Sequence, residues 1–313
     1  MRSSMVNTNG LTLHVVEKGQ GEPVLFCHGF PDTWRGWRRQ IDALAKEGYR
    51  AIAPDMRGFG RSSAPEDSSQ YTPFHTVGDL VGLLDALELS SVTVVGHDWG
   101  ADIAWNAALL RPDRFTAVVG VSVPFVSRGE KSILELMHDA GHDDFYMFGQ
   151  MQEKAVEDWA DASKTIPGIL YTASATLPHE ERWNVFDYSS LFLKTAQETL
   201  PPWADPKDVE YTIEEYKRTD FRAGLNYYRA IPLSFELLAP FKGAKVMQPS
   251  YFVLGKEDGL YPFFKKPLEE LRESMPGLRG YLEVEDAGHW VSQEKPEILN
   301  EALLEFLRGL KQA

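Results

Sequence analysis

The first 125 residues alternate short apolar runs with stretches of helical spacing, and that rhythm leaves few architectures open. LTLHVVE, PVLFCHG, YRAIAPD, VTVVGH and FTAVVGVSV are short, rich in β-branched residues and stop at or beside glycine, proline or an acid, which predicts strands. Between them Trp34 to Lys46, Phe74 to Leu87 and Ala101 to Leu110 have helical periodicity. This alternation predicts an α/β fold, a mostly parallel sheet with helices on both faces. From about Val126 to Ala239 the pattern is helical, aromatic and broken by prolines, with no convincing strand. The earlier rhythm then returns in SYFVLG, a helix over Leu268 to Met275, GYLEVED and an amphipathic helix from Pro296 to Leu310. The expected organisation is one core interrupted by an insertion: 1–125 as its first part, 126–239 as a helical cap and 240–313 as its second part.

The chain has 313 residues, 43% of them hydrophobic and 25% charged, ample for a globular core. A net charge of −14 repels phosphate backbones and anionic lipid, so neither nucleic acid nor membrane is expected as a partner. The opening MRSSMVNTNGLTLHVVEKGQ lacks the basic start and apolar run of a signal peptide, and no stretch nears the roughly 18 apolar residues of a spanning helix. A cytoplasmic location is the expectation. The single cysteine, Cys27, excludes an internal disulfide framework and gives no support to a thiolate zinc site. Closing the run PVLFC, it reads as a small buried hydrophobe rather than a thiol nucleophile. There is no internal repeat and no low-complexity tract.

Within VTVVGHDWGAD, the stretch Gly96-His97-Asp98-Trp99-Gly100 has the spacing of a nucleophile elbow, a tight strand-to-helix turn that lifts one side chain above a sheet. Serine usually occupies such an apex. An aspartate there is already ionised at neutral pH, needs no base to activate it and is favoured at a helix start. Its natural targets are strained or activated saturated carbons, such as those of epoxides and alkyl halides, because attack on an ester gains little. The structural alternative is an aspartate capping the helix that begins at Trp99.

Two further segments complete a constellation. VEDAGHWVSQEKP presents His289 in a loop after a strand, and LGKEDGLYP offers Asp258 directly after another strand, in the chain order nucleophile, acid, histidine. Asp258 would hold the imidazole tautomer and stabilise the imidazolium, with Glu257 and Asp286 as neighbouring alternatives. In CHGFPDTWRGW, the loop His28-Gly29-Phe30-Pro31 fits the position that supplies one oxyanion-hole N–H, from Phe30, with the other from Trp99. PDMRGFGRS lacks the lysine and hydroxyl spacing of a phosphate loop and reads as structural.

Taken together, FCHGFPDTWRGWRRQIDALAKEGYRAIAPDMRGFGRSSAP, VVGHDWGADIAWNAALLRPDRF, SVPF, PPWADPKDVEYTIEEYKRTDFRAGLNYYRAIP and EDAGHWVSQEKP resemble the soluble epoxide hydrolases of the α/β-hydrolase fold. The elbow and the HGFP loop are shared with haloalkane dehalogenases; the cap segment is the sharper marker. The resemblance implies two cap tyrosines that hydrogen-bond the epoxide oxygen and assist its protonation. The family motif Asn-Trp-Tyr-Arg reads NYYR here, which puts one of them at Tyr228 and replaces the tryptophan by Tyr227. For the other, the ungapped count back from Glu157 falls on Gly149, and a shifted alignment nominates Tyr146.

The implied mechanism is attack by Asp98, a hydroxyalkyl-enzyme ester, and its hydrolysis to a vicinal diol by water that His289 and Asp258 activate. Trp99, Phe30 and Tyr227 are assigned to substrate contact, no cofactor or metal is called for, and a homodimer is admitted. A cap rich in Trp, Phe, Tyr and Met suggests an apolar pocket for aromatic or long alkyl epoxides. The alternatives are a haloalkane dehalogenase, against which Phe30 stands where a halide donor is needed, and a non-catalytic ligand-binding protein of the same fold. A fluoroacetate-type dehalogenase would need arginines after the nucleophile, where this chain has Trp99 and Asp102.

Overall fold

The computed structural model describes residues 1–193, 197, 199–265 and 268–311. Eight strands form one sheet: β1 (Arg2–Thr8), β2 (Leu11–Lys18), β3 (Pro23–Cys27), β4 (Arg50–Pro54), β5 (Val92–His97), β6 (Phe115–Val121), β7 (Ser250–Gly255) and β8 (Leu278–Val284). Their order is β1-β2-β4-β3-β5-β6-β7-β8, antiparallel over β1, β2 and β4 and parallel from β4 to β8. The central strands are predominantly apolar because both of their faces are covered, and every residue of β5 is buried.

β1 is the strand that apolar patterning misses. RSSMVNT has few apolar residues and is exposed along most of its length, as an edge strand can be. Its signal is the Asn9-Gly10 pair: both residues have positive φ, 45° and 77°, the conformation a two-residue hairpin turn requires, and Thr8 faces Leu11 across it.

The period of two along β3 sends Val24 and Phe26 to one face of the sheet and Leu25 and Cys27 to the other. The first face is covered by α1 (Arg38–Lys46) and the C-terminal α14 (Pro296–Leu310), through Ile41, Leu44, Leu299 and Leu303. A 3₁₀ turn, Trp34–Trp37, precedes α1 where one continuous helix is expected from sequence. The second face is covered by α2 (Pro73–Ala86) and α3 (Trp99–Leu110), through Leu80, Leu83, Ile103 and Trp105. Cys27 belongs to this layer, and burial pushes its thiol far above the ordinary range. Loop PDMRGFGRS is tied down by the buried bidentate pair Arg57–Asp79 and by Asp55, which accepts from the Trp34 and Arg61 N–H groups.

Between β6 and β7, and without a strand among the described residues, lie α4 (Ile133–Asp139), α5 (Tyr146–Met151), α6 (Lys154–Trp159), α7 (Ala162–Thr172), α8 (Pro206–Thr219), α9 (Arg222–Arg229) and α10 (Ile231–Leu237). Their starts follow local chemistry. Ser132 and Glu135 form a capping box on α4, and Asp205 caps α8 ahead of Pro206 at its first position. The core layer on the α3 side continues into these helices through Phe30, Tyr146, Trp159 and Tyr228, so the insertion sits on the edge of the sheet where β5 ends. After β7 come α11 (Tyr261–Phe264), α12 (Leu268–Ser274) and, just ahead of α14, α13 (Val291–Glu294). No helix among the described residues is long and apolar enough to cross a membrane.

Candidate active site

β5 ends at His97 and α3 starts at Trp99, so Asp98 alone makes the turn, at φ 54° and ψ −125°, a conformation that costs a non-glycine residue energy. The helix therefore begins two residues earlier than helical spacing suggests. The turn closes because Gly96 has no side chain: a Cβ there would collide with the carbonyl of Gly100. At Gly29 a Cβ would strike the Asp98 carboxylate itself.

One oxygen of Asp98, Oδ1, accepts the Phe30 N–H at 2.9 Å, and the Trp99 backbone N–H beside the carboxylate helps keep it ionised. The loop that aims Phe30 is fixed by His28. Its Nε2 accepts from the Met56 N–H at 3.0 Å, so the proton sits on Nδ1, which donates to the Gly29 carbonyl at 2.9 Å. The other oxygen, Oδ2, lies 3.5 Å from Nε2 of His289. On the far side of that ring Nδ1 is 3.0 Å from Asp258 Oδ2, while Asp258 Oδ1 accepts the Leu260 N–H at 2.9 Å. The acid alternatives fall elsewhere: Glu257 pairs with Arg182, and Asp286 lines a surface cleft with it.

These buried charges shift one another. Burial lifts Asp98, but the adjacent His289 outweighs that and holds the carboxyl below the usual range. Burial opposes a charged His289, yet Asp258 and Asp98 together push its pKa up to about 10. The resting pair is therefore carboxylate and imidazolium.

Tyr228, on α9, sets its ring edge-on to Phe30 and Trp99, with centroids 5.8 and 5.0 Å away. Tyr146, the first residue of α5, lies 6.2 Å from it, ring to ring. Burial, followed by the charge of Asp98, raises both phenols well above their ordinary value, so both keep their protons. With Asp98, His289 and Phe30 they line a cavity of about 20 Å³. A larger cavity of about 370 Å³ opens beside Asp98, Trp99, Tyr146 and Tyr227 and is walled mainly by apolar side chains. Tyr227 gives that cavity its ring, whereas its hydroxyl donates to the Arg57 carbonyl at 3.1 Å. Gly149 sits under the ring of Tyr188, away from Asp98.

A model of the alpha/beta hydrolase fold family matches residues 22–296. The chain is 56% identical over 304 residues to an epoxide hydrolase of Caballeronia sordidicola, across 97% of this chain and 92% of that one. It is 36% identical to epoxide hydrolase A of Mycobacterium tuberculosis, across 98% and 97%. Among solved structures, an epoxide hydrolase from an endophytic Streptomyces superposes with a TM-score of 0.93 at 35% identity, covering 100% of this chain and 96% of that one. The chain belongs to the epoxide hydrolases of the α/β-hydrolase fold.

Three groups in this epoxide hydrolase were not singled out from sequence, and all of them fix the His289 loop through its backbone. Its carbonyl accepts from His97 Nε2 at 2.7 Å and from the Ser122 hydroxyl at 3.0 Å. Glu294 accepts the N–H groups of Gly288 and Trp290, on either side of His289, and that of Ala175 in the segment between β6 and β7. The His289 N–H itself donates to Ala173 at the end of α7, at 2.7 Å. The position of His97 beside Asp98 is the one hint the sequence offered. Glu257, adjacent to Asp258 but engaged with Arg182, provides a control. Glu257→Gln is expected to leave kcat/KM for an epoxide within about twofold and to cost ~1 kcal/mol of stability, since the Glu257 end of the pair is open to solvent and glutamine keeps an acceptor for Arg182. Steady-state kinetics and thermal unfolding of the variant check both.

Proposed function

We propose that this enzyme opens epoxides by nucleophilic attack from Asp98. The observation that carries this reading is the division of labour between the two carboxylate oxygens. Oδ1 is held by the Phe30 N–H, while Oδ2 faces His289 in a cavity shared with two protonated phenols.

A lone pair on Oδ2 forms a bond to a ring carbon, the ring C–O bond breaks, and its electrons pass to the oxygen, which takes a proton from Tyr228 or Tyr146. The result is a hydroxyalkyl ester of Asp98. His289, protonated at rest, restores the phenol's proton and becomes neutral, because esterification has removed one of the two carboxylate charges that held its proton. In the second half, His289 Nε2 takes a proton from water, the water oxygen bonds to the Asp98 carbonyl carbon, and the oxyanion is stabilised by the Phe30 and Trp99 N–H groups. Collapse breaks the bond to the alkyl oxygen, which leaves as a diol with the proton from His289, and the second proton of the water passes from the Asp98 carboxyl to His289 and restores the resting pair. The space of about 20 Å³ beside His289 is the size of one water. We read residues 126–239 as a cap that supplies the phenols and the apolar wall, suited to aromatic or alkyl epoxides.

The test follows the oxygen atoms. With enzyme in excess over styrene oxide in ¹⁸O water, the first turnover should yield unlabelled diol, its new oxygen coming from Asp98; repeated turnovers should yield labelled diol. Label in the first turnover means direct attack by water and overturns the reading.

The two half-reactions also have opposite proton requirements. Attack needs ionised Asp98, whose pKa is lowered, so it is unimpaired across neutral pH. Hydrolysis needs neutral His289, whose pKa in the ester lies below its resting value of about 10 because one carboxylate charge is gone. Hydrolysis therefore gains speed as pH rises, and acid-quenched enzyme at steady state should contain more ester at pH ~6 than at pH ~9. An ester fraction that grows with pH removes His289 from the role of base.

A further inference from the structure

Asp102 lies one helical turn beyond Asp98 on α3, its N–H donating to the Asp98 carbonyl at 3.3 Å, so the two acids share a helix face. An acid in the first turn of a helix usually favours the dipole from the solvent side. This one instead lines the cavity of about 370 Å³, beside Ile103, Val123, Met147 and Ile231.

Among the described residues no cation pairs with it. The two cations that line the same cavity are engaged elsewhere. Arg128 donates to the Gly129 and Phe235 carbonyls and lies over the Phe235 ring, and Lys131 pairs with Asp139. The side-chain neighbour of the Asp102 carboxyl is Asn106 of its own helix, whose Nδ2 also donates to the Asp102 carbonyl at 2.9 Å. Burial, and then the charge of Asp98, push Asp102 up to about 6, so it is mostly ionised at pH 7.5 and above. A carboxylate in an apolar wall without a counter-charge is costly, and a ligand that brings a donor to it recovers part of that cost.

We propose that Asp102 is a specificity-determining residue that selects epoxides bearing a protonated amine about 5–6 Å from the reacting carbon, the spacing of neighbouring turns on one helix face, and disfavours those bearing a carboxylate there. This deepens the epoxide-opening reading above and rests on it. Arg128 and Lys131 do not cancel the preference, because their charges are already matched by a ring, carbonyls and an acid.

The test uses three styrene oxides with aminomethyl, ethyl or carboxylate at the meta position, assayed at pH 7.5 with the unmodified enzyme and with Asp102→Asn. The unmodified enzyme should favour the ammonium over the ethyl compound by about tenfold in kcat/KM, the scale of a charge-assisted hydrogen bond, and the ethyl over the carboxylate compound by a similar factor. In Asp102→Asn both ratios should collapse toward one. Ratios taken within each protein cancel any loss of folded enzyme, and the preference of the unmodified enzyme stands as a measurement even where the variant does not fold. Equal turnover of all three compounds by the unmodified enzyme overturns the assignment of Asp102 alone. So does a preference that survives in Asp102→Asn. Absence of diol from all three overturns the epoxide-opening reading and this inference with it.

Discussion

His289→Gln should react once and stop. Glutamine keeps the backbone bonds that the Ala173 carbonyl, His97 and Ser122 make to this residue, so the loop keeps its place. What disappears is the imidazole whose Nε2 lies 3.5 Å from the Asp98 carboxylate, and with it the deprotonation of water. Without His289 burial lifts the Asp98 carboxyl with less opposition, while the Phe30 N–H still favours its anion, so ring opening continues at a reduced rate. Turnover should fall by about 10³-fold or more, the upper part of the range for loss of a general base. Intact mass should rise by the whole mass of the epoxide, and fragmentation should place the increment on Asp98. Steady turnover by the variant, or an adduct on another side chain, contradicts the two-step scheme. An increment equal to the alkyl group alone, after exposure to an alkyl bromide and not to the epoxide, would transfer the assignment to carbon–halogen cleavage.

The second large effect concerns the phenols. Tyr228→Phe and Tyr146→Phe each remove one hydroxyl and keep the ring packing against Phe30, Trp99 and Trp183. Either single change should lower the rate of ester formation by about 10- to 100-fold, and the double change by about 10³-fold or more, because the departing oxygen then has neither phenol to give it a proton. Tyr227→Phe should stay within a few-fold, since its hydroxyl is bound to the Arg57 carbonyl; its effect belongs to stability, at ~1 kcal/mol. Single-turnover rates of ester formation separate these cases. If Tyr146→Phe reacts as fast as the unmodified enzyme, Tyr228 works as a single donor.

The contrast between Tyr227 and Tyr228 shows where sequence reading stops. The elbow is legible because it is local: two glycines, an acid and a strand-to-helix change within eleven residues dictate their own geometry. Asp258 and His289 are legible through their order and their places after strands. Which of two adjacent tyrosines points inward depends on how α9 rotates against the HGFP loop, and that is settled by packing between segments far apart in the chain. For the same reason sequence alone leaves Gly149 and Tyr146 as alternatives: both lie on one short helix, Gly149 against the Tyr188 ring and Tyr146 at 6.2 Å from Tyr228, ring to ring. From sequence Asp102 reads only as an acid where an arginine clamp for a carboxylate would need a cation; its place in the cavity wall depends on how the insertion packs over α3. Glu294 and Ser122 act through backbone groups, which leave no trace in side-chain pattern.

The order of the strands also bears on how the protein is made. β6, ending at Val121, pairs with β7, which begins at Ser250, and the whole insertion is synthesised in between. At about 5–20 residues per second, the free edge of β6 waits roughly ten seconds for its partner on the ribosome, an apolar strand with open hydrogen-bonding groups. The proposed nucleophile Asp98 and both proposed oxyanion donors, Phe30 and Trp99, are already made by then, whereas Asp258 and His289 are still to come. A nascent chain stalled in the insertion would be catalytically inert and the form most prone to aggregate, so yield from expression should respond to chaperone supply more than to any stabilising change in the finished site.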